Sequence, residues 1–239
     1  MFENGLENLE PLLRGTLWTI ALTVTSGVIG TFLGLILGLA ETSPSRIARW
    51  ISTTYVTIIR GVPLLILIFF IYFGIPLLVP GADLPGFLTG AIALTAFAAA
   101  YIAEIFRGSI EAIAKGQSEA ADALGLGYVD KFRYVIMPQA VKIAVAPGIT
   151  FIIGLVKDSS LISVIGFVEL TRAGHIVSNL TFDPITTYLV AAAIYFVICY
   201  GISLAGRAYE KKLGTQTDIE HTDLATAIPP MKIRIGHSE

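Results

Sequence analysis

Five stretches of this chain are apolar for long enough to cross a bilayer, and polar breaks separate them. A helix needs about 20 consecutive apolar residues to span the hydrocarbon core. Residues 16–40 carry no charge. Residues 51–79 form a second run, interrupted by Arg60-Gly61-Val62-Pro63, where glycine and proline weaken a helix and free backbone groups. Residues 87–106 form a third, with Glu104 near its end, and residues 140–165 a fourth that holds Pro147-Gly148 and Lys157-Asp158. Residues 185–205 are a charge-free fifth. The pattern predicts an all-α membrane protein with five transmembrane helices. The opening residues 1–15 have an acidic rather than basic start and no small-residue cleavage site, so they are expected to be an external interfacial segment rather than a signal peptide. Residues 16–213 are the membrane domain. Residues 214–239 are polar and aperiodic and are expected to be a flexible tail.

Lysine and arginine set the orientation of such a chain. If the spans alternate, Arg46, Arg49, Arg107, Lys115, Lys131, Arg133, Lys142, Arg207, Lys211 and Lys212 all fall on one side. The other side has Arg14 and Arg172 with Glu10, Asp83, Glu169 and Asp183. The N-terminus is therefore expected outside, and the C-terminus and the central polar loop, about 107–138, in the cytoplasm. Glu169, Arg172 and Asp183 fall in an external loop after span four and are read as solvated.

Composition agrees with a multi-pass membrane protein: 54% of the 239 residues are hydrophobic and only 14% charged, where a soluble domain averages roughly 25%. A net charge of −2 gives no footing for nucleic acid. The single cysteine, Cys199, cannot form an intrachain disulfide. The sequence carries no metal-ligand cluster, phosphate-binding loop or nucleophile motif, so no cofactor is expected on this chain.

The central loop contains SEAADALGLGYVDKFRYVIMP, residues 118–138. Ser118 is a good N-cap, with Glu119 and Asp122 in the first turn. Gly125 and Gly127 are expected to stop that helix. Tyr128, Phe132 and Ile136 recur at helical spacing and predict a second short helix, and Pro138 is expected to open the next one. The small face at Ala120, Ala121 and Ala123 admits close approach by another surface. An ordinary connecting loop is the alternative.

Glu119-Ala120-Ala121, Gly125 and the ending Met137-Pro138 resemble the EAA loop of ABC importer permeases, with methionine where the family more often has leucine. YVTIIRGVPLLILIFFIYFGIP, AYIAEIFRGSIEAIAKGQSEAADALG and LVKDSSLISVIGFVEL are similar to the polar amino acid subgroup, the permeases for histidine, glutamine, glutamate or arginine. The resemblance implies the type I, MetI-like permease fold. It also implies ABC ATPase subunits that carry ATP and Mg, a second permease copy, identical or paralogous, an external solute-binding protein, and placement in a bacterial inner membrane. By it, Glu119, Ala120, Ala121, Asp122, Leu124 and Gly125 form the coupling helix that meets the ATPase.

Ionisable residues at bilayer depth are functional candidates by default. Lys157 and Asp158 offer opposite charges to a zwitterionic amino acid, and Ser159 adds a hydroxyl. Pairing with other helices is the competing role. Arg60, also a substrate-path candidate, is expected to act in structure or gating, by snorkelling or by binding the carbonyls freed at the break, with direct substrate contact as the competing role. Leu64 and Leu65 are candidates for an apolar gate, against plain packing. Glu104 and Arg107 sit at i, i+3, as a local pair does, and Tyr101 is expected to pack. The Pro147-Gly148 step permits a kink. The expected function is amino acid import by alternating access, driven by a separate ATPase. The rival is an autonomous secondary transporter or channel that uses Lys157 and Asp158.

Overall fold

The computed structural model describes residues 9–79, 81 and 83–213, so most of the expected interfacial segment and the whole tail lie outside the described residues. Among the described residues every regular element is helical: α1 (Leu9–Thr42), α2 (Arg46–Gly61), α3 (Leu64–Leu78), α4 (Gly86–Glu111), α5 (Lys115–Ala123), α6 (Tyr128–Ile165), α7 (Leu170–Thr181) and α8 (Pro184–Leu213). Four of them, α1, α4, α6 and α8, are long and apolar enough to cross a membrane, and the bent pair α2–α3 adds a fifth where the two halves are counted as one broken span.

The second span is not a straight rod. Val62 precedes a proline and takes an extended backbone, φ −105° and ψ 132°, which ends α2. The Pro63 carbonyl then accepts from the amides of Ile66 and Leu67 and starts α3. The two halves meet at 103°. α1 runs unbroken from Leu9, so residues 9–15 are continuous with the helix of the first span, and Gly15 lies against Ala173 of α7.

α1 packs most closely on α4, and small residues bring the two backbones together. The buried face of α1 reads Leu12, Gly15, Thr19, Leu22, Thr23, Ser26, Gly27, Gly30, Gly34, Gly38 and Glu41, so small residues dominate it. Other large residues, such as Leu17, Val28 and Phe32, point outward. A Cβ at Gly34 would stand 2.7 Å from the Ile102 Cβ and 2.8 Å from the Ala99 carbonyl oxygen. Gly34→Leu should therefore force the two helices apart, at about 1–3 kcal/mol or more for an overpacked contact. Detergent-solubilised protein should melt earlier and monodisperse yield should fall. An unchanged melting temperature would refute the close-packing account.

The fourth span begins earlier than the apolar pattern indicates. Tyr128, Phe132 and Ile136 do not form a separate short helix, and Pro138 does not open a new one. Both belong to α6, which runs through a wide π-turn at Phe132–Ile136 directly before Met137. The π-turn moves aside the carbonyl that a proline ring would otherwise strike one turn back, so the helix passes Pro138 without stopping. α6 also continues through Pro147 and tightens to a 3₁₀ turn over Ser159–Ile165. Gly166, at φ 85°, ends it.

Candidate functional site

The central polar loop builds one helix on the base of another. α5 begins three residues before Ser118, after Ala114, so Ser118 is inside the helix and caps nothing. Its end is as expected. Gly125 has φ 74°, the Leu126 amide donates to the Ala121 carbonyl at 3.1 Å, and the Gly125 amide donates to Asp122 at 2.9 Å. This paired closure satisfies the last carbonyls and fixes the exit direction. Gly127 is extended and opens α6 instead of helping to stop α5. Lys131 of α6 donates to both Asp122 carboxylate oxygens, at 2.8 and 3.0 Å, and Gln139 donates to Gln117 at 3.3 Å. α5 is thereby held on α6.

Those ties decide which face is free. Ala121 is 2% exposed. It is the inner residue of α5, and the sequence assignment of it to the outward small face is corrected: with Asp122 and Gln117 anchored, that side turns to α6. Glu119, Ala120, Ala123 and Gly125 are exposed, and Leu124 is 80% exposed. Leu124 is thus an open apolar side chain at the end of a short polar helix, beside a small-residue face.

A charge cluster lies where α1, α2 and α4 end together. Arg60 Nη1 is 3.3 Å from Glu104, and its guanidinium lies 5.4 Å from the centre of the Tyr101 ring. It is held by that pair rather than by carbonyls at the helix break. Arg107 bridges Glu104 at 2.7 Å and Glu111 at 2.6 Å. Glu41 is buried beside them. Its Oε2 is 4.0 Å from Arg107 and has no hydrogen-bond donor among the described residues. With Arg49 and Thr53 these groups line a cleft of about 340 Å³. The i, i+3 spacing pointed to the Glu104–Arg107 pair, while Glu41 and the Arg60–Glu104 contact join residues that only the fold brings together. Tyr101 stacks at 5.5 Å on Phe151 of α6, which links this cluster to the fourth span.

Lys157 and Asp158 close the α-helical part of α6, about 9 Å beyond Phe151 at 1.5 Å per residue. Lys157 is exposed on the isolated chain and Asp158 is half-buried. Neither makes an ion pair or hydrogen bond with another described residue. The Ser159 hydroxyl is buried and donates to the Val156 carbonyl at 2.7 Å, so it is already engaged. Leu64 is buried in the core with Ile68 and Leu94, and Leu65 is half-buried.

Glu169 departs most from its sequence reading. It is not solvated but 0% exposed. It caps α7, accepting from the amides of Thr171 and Arg172, both at 2.8 Å, and from the Tyr195 hydroxyl of α8 at 2.9 Å. Thr19 of α1 accepts the neighbouring Leu170 amide at 3.1 Å. Three elements meet at this carboxylate. Burial pushes its pKa above the ordinary value, and the donors pull it back. Glu169→Gln places an amide against amide donors. A hydrogen bond to a charged group is worth about 1.5–3 kcal/mol, so Tm should fall by roughly 3–12 °C for a chain of this size. Thermal melting of the purified protein checks this, and an unshifted Tm would refute the joint. The sequence signal was an acid just before a helical run, in the N-cap position.

The family model for binding-protein-dependent transport system inner membrane components matches residues 30–215. The probable amino-acid ABC transporter permease protein YckA of Bacillus subtilis (strain 168) is 35% identical over 208 residues, covering 87% of this chain and 91% of that one. A crystal structure of an amino acid ABC transporter with histidines matches at TM-score 0.83 and 34% identity, over 89% of this chain and 98% of that chain. An inward facing structure of the MetNI methionine ABC transporter matches at TM-score 0.74 and 25% identity, over 86% and 97%.

Proposed function

The chain belongs to the binding-protein-dependent transport system inner membrane component family, and from that premise we propose how this member works. It is the permease component of an amino acid ABC importer, in the polar amino acid subgroup. The outward face of α5, with Glu119, Ala120, Ala123, Leu124 and Gly125, docks in a cleft of an ATPase subunit that carries ATP and Mg. ATP binding closes the ATPase pair, α5 moves with it, and the rigid tie of α5 to α6 turns that motion into rotation of the fourth span. A cavity between this chain and a second permease copy then opens outward, receives the amino acid from an external solute-binding protein, and is reset by hydrolysis.

Lys157 faces the substrate carboxylate and Asp158 its ammonium group. Arg60, paired to Glu104, holds the broken second span at the opposite end of the path, and Leu64 packs behind it while Leu65 borders it. The N-terminus is external, the C-terminus cytoplasmic, and the membrane the bacterial inner membrane. The observation that carries this reading is the exposed Leu124 on a helix anchored to α6 by Asp122–Lys131.

The test is reconstitution of this chain with its ATPase, its second permease copy and its binding protein in vesicles. Uptake of a polar amino acid should require ATP and all the components. Ion-gradient-driven uptake by this chain alone would establish the rival, an autonomous transporter.

A further inference from the structure

α2 is amphipathic in the wrong sense for a helix at a water surface. Its polar side faces the protein. The Ser52 hydroxyl donates to the Leu37 carbonyl at 2.8 Å, the Tyr55 hydroxyl donates to the Ala96 carbonyl at 2.9 Å, and Arg60 pairs with Glu104. Its apolar side faces out. Ile47, Trp50, Ile51 and Ile58 share one flank, and Ile47 and Trp50 are 73% and 70% exposed. In water the two faces would be exchanged. The medium outside α2 is therefore apolar, as it is outside the neighbouring α1, which exposes Phe32 and Ile36.

The first turn of α2 nevertheless lies at an end of the bundle, and the helix runs from there toward the middle, where Tyr55 meets Ala96 of α4. Arg49, Thr53 and Arg60 share the cleft with Glu41, next to last in α1, and Glu111, last in α4. The bend of 103° separates the direction of α2 from that of α3. Tryptophan beside arginine at such a boundary is the composition of a membrane interface. The two arginines of the first turn differ. Arg49 donates to the Ser43 carbonyl at 3.0 Å. Arg46 is exposed and has neither an ion pair nor a side-chain hydrogen bond among the described residues.

We propose that the outward flank of α2 binds an anionic phospholipid, with the acyl chains along Ile47, Trp50, Ile51 and Ile58 and the headgroup phosphate on Arg46 in the first turn, at the end of the bundle. One side of α2 then belongs to the lipid and the other to the Arg60–Glu104 cluster. Anionic lipid presses α2 onto that cluster and fixes the angle at the break. The inference concerns lipid and does not need the transport reading. Its tests read binding alone, so failure of either leaves the other standing.

The first test places the photoreactive residue p-benzoylphenylalanine at position 50 of the full chain in its assembled complex, in native membranes. Illumination should give phospholipid adducts, read as small mass increments on the peptide carrying residue 50. A crosslink to a second permease copy or to an ATPase would overturn the proposal, because α2 would then be a subunit interface. No adduct at all would overturn it too, because the face would meet water. The second test measures phosphatidylglycerol retained by purified complex in native mass spectra. Arg46→Gln should weaken retention about fivefold, the worth of one arginine at an anionic surface. Arg46→Lys should keep most of it, and phosphatidylcholine retention should not change. Equal phosphatidylglycerol retention in Arg46→Gln and wild type would overturn the headgroup assignment.

Discussion

Leu124→Asp is expected to abolish ATP-driven uptake while leaving the permease folded. Leu124 closes α5 at 80% exposure, so the chain itself loses little when it is changed. The partner would lose more. Burying a leucine is worth about 1.5–3 kcal/mol, or roughly 10–100-fold in docking affinity. An aspartate facing an apolar cleft adds an unpaired charge on top of that. Co-purification with the ATPase and stimulated uptake should both fall at least tenfold, with unchanged melting of the isolated permease. Ala121→Trp is the contrasting case. Ala121 is on the inner side of α5, so the indole has to lift α5 from α6, and both protein yield and uptake should drop. Wild-type uptake in Leu124→Asp would remove α5 from the coupling pathway. Normal yield in Ala121→Trp would contradict its burial.

Asp158→Asn and Lys157→Met should each cut amino acid uptake by roughly 10–100-fold, the loss of one charge-assisted hydrogen bond of about 1.5–3 kcal/mol. Both charges sit at the end of a membrane helix with no ion-pair or hydrogen-bond partner among the described residues, and isolated charges there are expensive. In the proposed path a zwitterionic solute would supply both partners at once. The complex should still assemble, and ATPase activity stimulated by the binding protein should change less than uptake. If the two charges instead lock helices together, each single variant should assemble poorly and the double variant should recover in part. Measuring yield, ATPase rate and uptake for the two singles and the double separates these outcomes. Wild-type uptake in both singles would dismiss both roles.

The linear sequence determined what depends on composition and local backbone chemistry. Apolar runs with at most one charge located α1, α4 and α8, with ends shifted by up to eight residues. Gly-Val-Pro marked the break in the second span, because the residue before a proline leaves the helical region wherever it sits. Gly125 marked the end of α5, because only a residue without a Cβ takes φ 74° without strain. Three motif stretches in order carried the family.

Everything that concerned which side of a helix faces what waited for the tertiary structure. In a bilayer the lipid is as apolar as a neighbouring helix, so hydrophobic periodicity does not mark the buried face. Size and hydrogen bonding do. α1 turns its glycines, its serine, Thr19 and Thr23 inward together with Leu12 and Leu22, and turns Leu13, Leu17, Leu33 and its valines outward, and α2 turns its polar face inward. Ala121 went to the inner face because Asp122 was drawn to Lys131, nine positions away. Glu169 became a buried joint because Thr19 and Tyr195, far from it in sequence, came to meet α7 at that point. A carboxylate with four donors around it can be buried, and the same carboxylate alone could not. The sequence carries the groups, and only the packing of distant helices decides which of them find partners.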